Sequence, residues 1–295
     1  MRSILCFGEV LWDCLPAGRQ LGGAPFNVAH HLFRLGRPVR LLSAVGRDPL
    51  GDEILARMRG RGMDTGGLAR HADLPTGTVQ VRLDAGGNPR FEIGEPSAWD
   101  RIPLPPGGEI GNVCGLVYGT LALRREFNRS ILDRLLNMPG WLKICDLNLR
   151  APHDDLPRAW EAARRADVLK LNRDELIRLL DSNLARRDLP DMLEELSTRL
   201  GIDSICVTLG ADGAVWLHHG RLHVAPGESV QVRDTVGAGD AFTAVIAAGL
   251  TGPVLPDPAV LLGAACRLGA FVAGREGATP DYDPRELGIA VILGA

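Results

Sequence analysis

The sequence predicts an α/β fold built on a central, mostly parallel sheet flanked by helices. Short apolar runs of strand length alternate with longer helix-periodic segments through most of the 295 residues. Several runs are apolar almost throughout, as strands covered on both faces must be. A composition of 45% hydrophobic and 23% charged residues is that of a folded globular chain.

The first strand is expected at Ser3 to Gly8, followed by a helix over Ala24 to Leu35 and a second apolar strand over Val39 to Val45. A further helix is expected over Gly51 to Arg61. Thr76 to Asp84 instead alternates with period two, and Gly86-Gly87-Asn88 turns it into Arg90 to Ile93, which predicts a hairpin with one wet face. A hairpin outside a parallel sheet is either a lid over the carboxyl ends of the strands or an immobile edge. Pro103 to Gly108 reads as the loop back to the main sheet. The α/β rhythm then resumes with strands at Gly115 to Gly119, Leu142 to Asp146, Asp167 to Leu171 and Ser204 to Thr208. Helices are expected over Arg125 to Leu136, Leu156 to Arg165, Leu189 to Leu200, Gly239 to Leu250 and Pro258 to Ala273. The chain shows no internal repeat and reads as one domain over residues 1–295.

A net charge of −3 provides no general attraction to nucleic acid. The six cysteines are scattered, without a Cys-x-x-Cys pair, and several sit in apolar runs, so buried reduced thiols in a cytoplasmic protein are expected. Ile4 to Trp12 is interrupted by Glu9 and is not expected to be a signal peptide. No apolar run has the length of a membrane span. The pairs His30-His31 and His218-His219 are adjacent rather than three or four apart, which suits packing or surface roles better than a shared metal.

The richest segment is Asp234-Thr-Val-Gly-Ala-Gly-Asp240, which runs into Ala-Phe-Thr-Ala-Val-Ile-Ala-Ala-Gly-Leu250. Glycines at the mouth of a helix let backbone N–H groups converge on an anion, helped by the helix dipole. An aspartate in the first turn is then expected to be held ionised by these groups and to accept a proton only as an attacking hydroxyl becomes acidic. Read alone, the segment is also compatible with a capped turn. The Gly-x-x-x-x-Gly-Lys-Ser/Thr pattern is absent, and Gly237-Ala-Gly239-Asp-Ala-Phe242 lacks the third glycine of a dinucleotide site.

Asp-Thr-x-Gly-Ala-Gly-Asp resembles the second signature of the ribokinase-like (PfkB) family of carbohydrate kinases. Gly22-Gly23-Ala-Pro-Phe-Asn27-Val-Ala-His-His-Leu-Phe-Arg-Leu-Gly36 is similar to its first signature. The resemblance runs from Leu5 to Pro280 and implies a ribokinase-like fold with a small β lid, contributed here by about 76–93. It implies that Asp240 is the general base and that Gly237, Ala238 and Gly239 cradle the developing charge. By the same resemblance Asp13, Gly23 and Asn27 hold the sugar, although the glycines alone would read as a turn and Asn27 as a helix cap.

Asp146-Leu-Asn148-Leu-Arg150 resembles a motif of fructokinases and 2-keto-3-deoxygluconate kinases, which makes Arg150 a substrate or phosphoryl clamp, with a surface ion pair as the plain alternative. Asn172-Arg-Asp-Glu175 matches an Asn-x-x-Glu motif: Asn172 on the nucleotide side and Glu175 on magnesium through water, or simply a capping box. Thr208, Gly210 and Gly213 resemble a segment beside the triphosphate, and Gly277 lies in a loop similar to one near the adenine. Carbonyls there, with Asp234 and Val236, form a candidate potassium site.

The expected function is therefore ATP-dependent phosphorylation of a sugar hydroxyl, with Mg-ATP as cofactor and potassium as a candidate addition. Gly8-Glu9, the Asp146 to Arg150 motif and Phe91 to Asp100 look more fructokinase-like than ribokinase-like. Alternatives are a 2-keto-3-deoxygluconate kinase, a ribokinase or, from other classes, a non-catalytic sugar sensor or a dinucleotide oxidoreductase. Expected partners are a small-molecule sugar and ATP, without nucleic acid or membrane, and a homodimer is compatible with the chain.

Overall fold

Walking the chain, β1 (Ser3–Phe7) leads into an antiparallel pair, β2 (Leu11–Leu15) and β3 (Gly18–Gly22), and then helix α1 (Ala24–Arg34). β4 (Val39–Gly46), α2 (Pro49–Gly60) and β5 (Leu68–His71) precede the hairpin strands β6 (Gly77–Leu83) and β7 (Pro89–Ile93). There follow β8 (Val113–Tyr118), α3 (Glu126–Leu136), β9 (Leu142–Asp146), α4 (Leu156–Ala163), β10 (Val168–Asn172), α5 (Arg173–Leu180) and α6 (Leu189–Leu200). The last part holds β11 (Ser204–Thr208), β12 (Ala214–His218), β13 (Arg221–Ala225), α7 (Ala238–Leu250), α8 (Pro258–Ala273) and α9 (Ile289–Leu293). The computed structural model describes residues 2–15, 18–83, 89–105, 108, 110–180 and 188–294, with the backbone course only for 81–83 and 89–91.

Among these residues one sheet has nine strands in the order β13-β12-β11-β10-β9-β8-β1-β4-β5, parallel except for the antiparallel β11-β12-β13 edge. Its strands alternate between two cores. Cys6, Val117, Ile144, Val168 and Cys206 face the side covered by α1, α2, α7 and α8. Phe7, Tyr118, Cys145, Leu169 and Val207 face the side covered by α3 to α6. That double covering is why the strands read as unbroken apolar runs. Helix α7 is buried over Asp240 to Gly249, which accounts for its nearly all-apolar sequence. Among the described residues no helix is long and apolar enough to cross a membrane.

A second sheet of four strands, β3-β2-β6-β7, stands apart from the first. The expected hairpin over 76–93 supplies only half of it, with its Gly86-Gly87-Asn88 turn outside the described residues; β2 and β3 supply the rest. Gly-Arg-Gln-Leu-Gly carries no strand pattern of its own, and β3 forms through its pairing with β2, Leu11 opposite Gly22. The edge strands β5 and β13 and the short helices α5 and α9 likewise go beyond the expected elements.

Candidate active site

The carboxyl ends of the parallel strands β1, β8, β9 and β10 meet the first turns of α1 and α7, which brings Asn27 and Asp240 together above Asp146. Gly237 is the N-cap of α7 with φ of 81°, and a Cβ at that position would lie 2.5 Å from the Cβ of Ala278, so only glycine fits. The Ala238 amide donates to Thr235 O at 3.3 Å. Gly239 and Asp240 follow in the first turn, where a helix offers their N–H groups no carbonyl. Among the described residues no side chain caps this helix.

Asp240 is 8% exposed, and its Oδ2 accepts a hydrogen bond of 2.8 Å from Asn27 Nδ2. Here the structure departs from the expectation that surrounding amides hold the carboxylate firmly ionised. Burial above all, then the neighbouring Asp146, push its pKa up from 3.8 to about 6, against the pull of Asn27, Lys170 and Arg150. The group is thus charged at neutral pH yet basic enough to take a proton.

Beneath it lies a cluster that the sequence reading missed. Lys170 of β10 is 8% exposed, with Nζ 3.0 and 3.3 Å from the two carboxylate oxygens of Asp146 on β9. Thr243 Oγ1 donates to Asp146 Oδ2 at 2.7 Å and lies 3.0 Å from Gly239 O. Burial works against the Lys170 charge, but the carboxylates of Asp146, Glu175 and Asp240 outweigh it and raise its pKa. Its sequence signal was a single charged residue inside the apolar strand Val-Leu-Lys-Leu-Asn.

On the side of the four-stranded sheet, Asp13 of β2 is half-buried over Gly22. Burial pushes its carboxyl up to about 6, with Arg150 pulling it down and Asp234 adding to the rise. Gly23, at φ of 105°, is the N-cap of α1, and a Cβ there would meet the Glu9 carbonyl at 2.6 Å. Asn27 sits inside α1, not at its cap; one edge serves Asp240, and its buried Oδ1 has no partner among the described residues.

Glu9, quoted in the sequence only as a family-like dipeptide, is 3% exposed and accepts from the Ala24 amide at 3.2 Å. Burial, opposed by backbone amides, takes its pKa up to about 7. Arg150 is exposed and makes no ion pair or hydrogen bond among the described residues; its charge acts on Glu9, Asp13 and Asp240. Asn148, in the left-handed region at φ of 43°, lines a cavity of about 10 Å³ with Glu9, Tyr118, Thr120 and Asp146.

On the other side, Asn172 and Glu175 form a reciprocal capping box: Glu175 N donates to Asn172 Oδ1 at 2.9 Å, and Asn172 N to Glu175 Oε2 at 2.8 Å. The remaining Glu175 oxygen accepts from Leu149 N at 2.7 Å, tying the Arg150 loop to α5. With both oxygens engaged, Glu175 suits a metal held through water rather than a direct ligand. Thr208 lies beside Asn172 in register, and Gly210 and Gly213 form the turn into β12 with φ of 63° and 94°. Asp234 joins the last two loops, accepting from Val236 N at 3.0 Å and Gly277 N at 3.1 Å.

His30 and His31 are buried, and His31 bridges Tyr282 OH and Ala278 O at 3.1 and 3.0 Å. Among the described residues no group of three or more His, Cys, Asp or Glu side chains is arranged to hold a metal.

The profile of the pfkB family carbohydrate kinase matches residues 4–284. A fructokinase of Klebsiella pneumoniae is 31% identical over 275 residues, covering 86% of each chain. The crystal structure of a Xylella fastidiosa fructokinase with bound ATP superposes with a TM-score of 0.80 at 26% identity, over 99% of this chain and 97% of that one. A Vibrio cholerae fructokinase solved with fructose, ADP and potassium has a TM-score of 0.82 at 24% identity, over 99% and 98% of the two chains.

Proposed function

We propose that this chain, which belongs to the pfkB family of carbohydrate kinases and is an ATP-dependent sugar kinase, acts on fructose. The observation that carries the transfer chemistry is Asp240, buried beside an uncapped glycine turn and hydrogen-bonded to Asn27 of the acceptor helix.

A sugar hydroxyl bound between Asp13, Gly23 and Asn27 presents its proton to Asp240. The hydroxyl oxygen bonds to the γ-phosphorus as the bridge to the β-phosphate breaks, Asp240 takes the proton, and ADP leaves. The Gly239 and Asp240 amides face the charge that develops on the phosphoryl oxygens. Asn172, Thr208, Gly210, Gly213 and Gly277 are the proposed nucleotide contacts. Glu175 would hold magnesium through water, and that ion, bound with the nucleotide, would supply neutralisation of phosphate charge. Asp234 and Val236, tied to Gly277, are proposed as the edge of a potassium site.

Fructose is favoured by the names of the curated relatives that match most of the chain. A second reading, 2-keto-3-deoxygluconate, draws on Arg150, a cation without an ion pair among the described residues, which suits a substrate carboxylate. The four-stranded sheet is proposed to close over the sugar and exclude water. A reducing, cytoplasmic setting agrees with six free cysteines, four of them buried.

The test is ADP release with Mg-ATP against fructose, 2-keto-3-deoxygluconate, ribose and glucose, with and without potassium. Turnover highest on fructose is expected; a preference for the keto acid replaces the substrate, and silence on every sugar refutes the kinase reading of this site.

A further inference from the structure

The buried cluster beneath the glycine turn has no part in the transfer step as described so far. Lys170 reaches Asp146 from the adjacent strand, and Thr243, one turn into α7, joins that carboxylate to the carbonyl of Gly239. The ammonium also packs directly against the turn: a methyl added at Gly239 would sit 2.7 Å from Nζ. A lysine with 8% exposure is strongly desolvated, and a hydrophobic pair of similar size would fill the same space without that cost. Its position therefore asks for a reason beyond packing.

We propose that Lys170 is a positioning residue of phosphoryl transfer: through Asp146 and Thr243 it fixes the first turn of α7, and it sets a permanent positive charge under the Gly237–Gly239 amides. Two consequences follow. The charge adds to the amides and the helix dipole at the place where the triphosphate ends, so it favours ATP over ADP. It also balances Asp146, whose negative charge would otherwise act on Asp240 unopposed. The charged groups facing Asp240 are Asp146 from β9, Lys170 from β10, Arg150 from the loop after β9 and Glu9 from the end of β1, with Asn27 of α1 as its neutral partner.

The inference rests on the kinase reading, so the test has one arm that needs no sugar. Three variants of the full chain are compared with wild type: Lys170→Met, the neutralised pair Asp146→Asn/Lys170→Met, and Thr243→Val, which keeps both charges and cuts only the link to α7. In calorimetry with magnesium, both Lys170 variants are expected to lose about tenfold or more in ATP affinity and clearly less in ADP affinity. Equal losses for the two nucleotides, or none, overturn the electrostatic half.

With the sugar on which wild type is active, kcat is expected to fall about tenfold or more in both Lys170 variants while the KM for sugar moves less than about threefold. The acid limb of kcat/KM should shift to higher pH in Lys170→Met, where Asp146 acts on Asp240 unopposed, and return toward wild type in the double variant. A folded double variant with wild-type kcat overturns the proposal. Thr243→Val is expected to lose kcat severalfold, and full activity there overturns the anchoring half even if the Lys170 variants do not fold. A wrong acceptor makes wild type silent, whereas a wrong role for Lys170 leaves the variants as active as wild type.

Discussion

Replacing Asp240 with Asn separates two properties that the structure has joined at one side chain. Asparagine keeps the shape, and its carbonyl oxygen can still accept from Asn27 Nδ2, so the 2.8 Å link between α1 and α7 survives. What is lost is the proposed base, and general-base catalysis is typically worth 10²–10⁴-fold, so kcat should fall by at least ~10²-fold. What is also lost is a buried charge. A rise from 3.8 to about 6 corresponds to roughly 3 kcal/mol against the ionised form, at about 1.4 kcal/mol per tenfold.

The sign follows from linkage: between these two values the folded state binds more protons than the unfolded chain, so Asp240 makes stability fall as pH rises through that window. Above pH 6 the full cost is present; below 3.8 it is gone. The variant should therefore be more stable than wild type at pH 8, by up to about 3 kcal/mol, with the advantage fading on acidification from pH 6 towards 4. ADP-release kinetics and urea unfolding at pH 8, 6 and 4.5 measure both effects. Turnover near wild type would refute the base, and a variant less stable at pH 8 would refute the electrostatic reasoning. In wild type the same carboxyl predicts that kcat/KM falls about tenfold per pH unit on the acid side of about 6.

Gly237→Ala places a β-carbon in a left-handed residue, which costs about 1–2 kcal/mol, and against Ala278; lower stability together with weaker ATP binding is expected, and unchanged ATP affinity would count against the turn as a phosphate cradle. Arg124→Met removes the partner of Asp100, a pair with both side chains 3% exposed and Nε to Oδ1 at 2.6 Å; breaking it should cost about 3–5 kcal/mol in urea unfolding, and a loss below ~1 kcal/mol would mean that Asp100 finds other partners.

Helix ends with strong local chemistry were legible in the sequence. Helix α6 runs from Leu189, with Pro190 in its first turn, to a left-handed Gly201, and α8 begins at Pro258 after Asp257, whose side chain accepts from two amides of the first turn. The Asn172 and Glu175 capping box was equally readable, because both partners lie within one turn. What escaped depends on distant partners. β3 is a strand through β2, and Lys170 is meaningful only beside Asp146 and Thr243, which lie 24 and 73 positions away in a chain whose local pattern there is simply apolar. The ionisation of Asp240 was misjudged for a related reason: the sequence displays the helix mouth but not the burial or the second carboxylate beside it.

The two helices that open onto the site illustrate how differently one physical device is used. Both α1 and α7 begin at a glycine with positive φ, Gly23 and Gly237, and neither has a side-chain cap of its own. At α1 the first amide donates to the Glu9 side chain, which arrives from the end of β1 and occupies the positive end of that dipole from within. At α7 no carboxylate among the described residues plays that part. Asp240 turns instead to Asn27, and the nearest acidic neighbour, Asp146, is itself bound to Lys170 and Thr243. An anion is therefore favoured at the start of α7 and already satisfied at the start of α1, so on the proposed assignment a neutral polyol and a charged phosphate would each have one preferred turn. That asymmetry, rather than the glycines alone, is what supports the proposed assignment of phosphate to the second turn and sugar to the first.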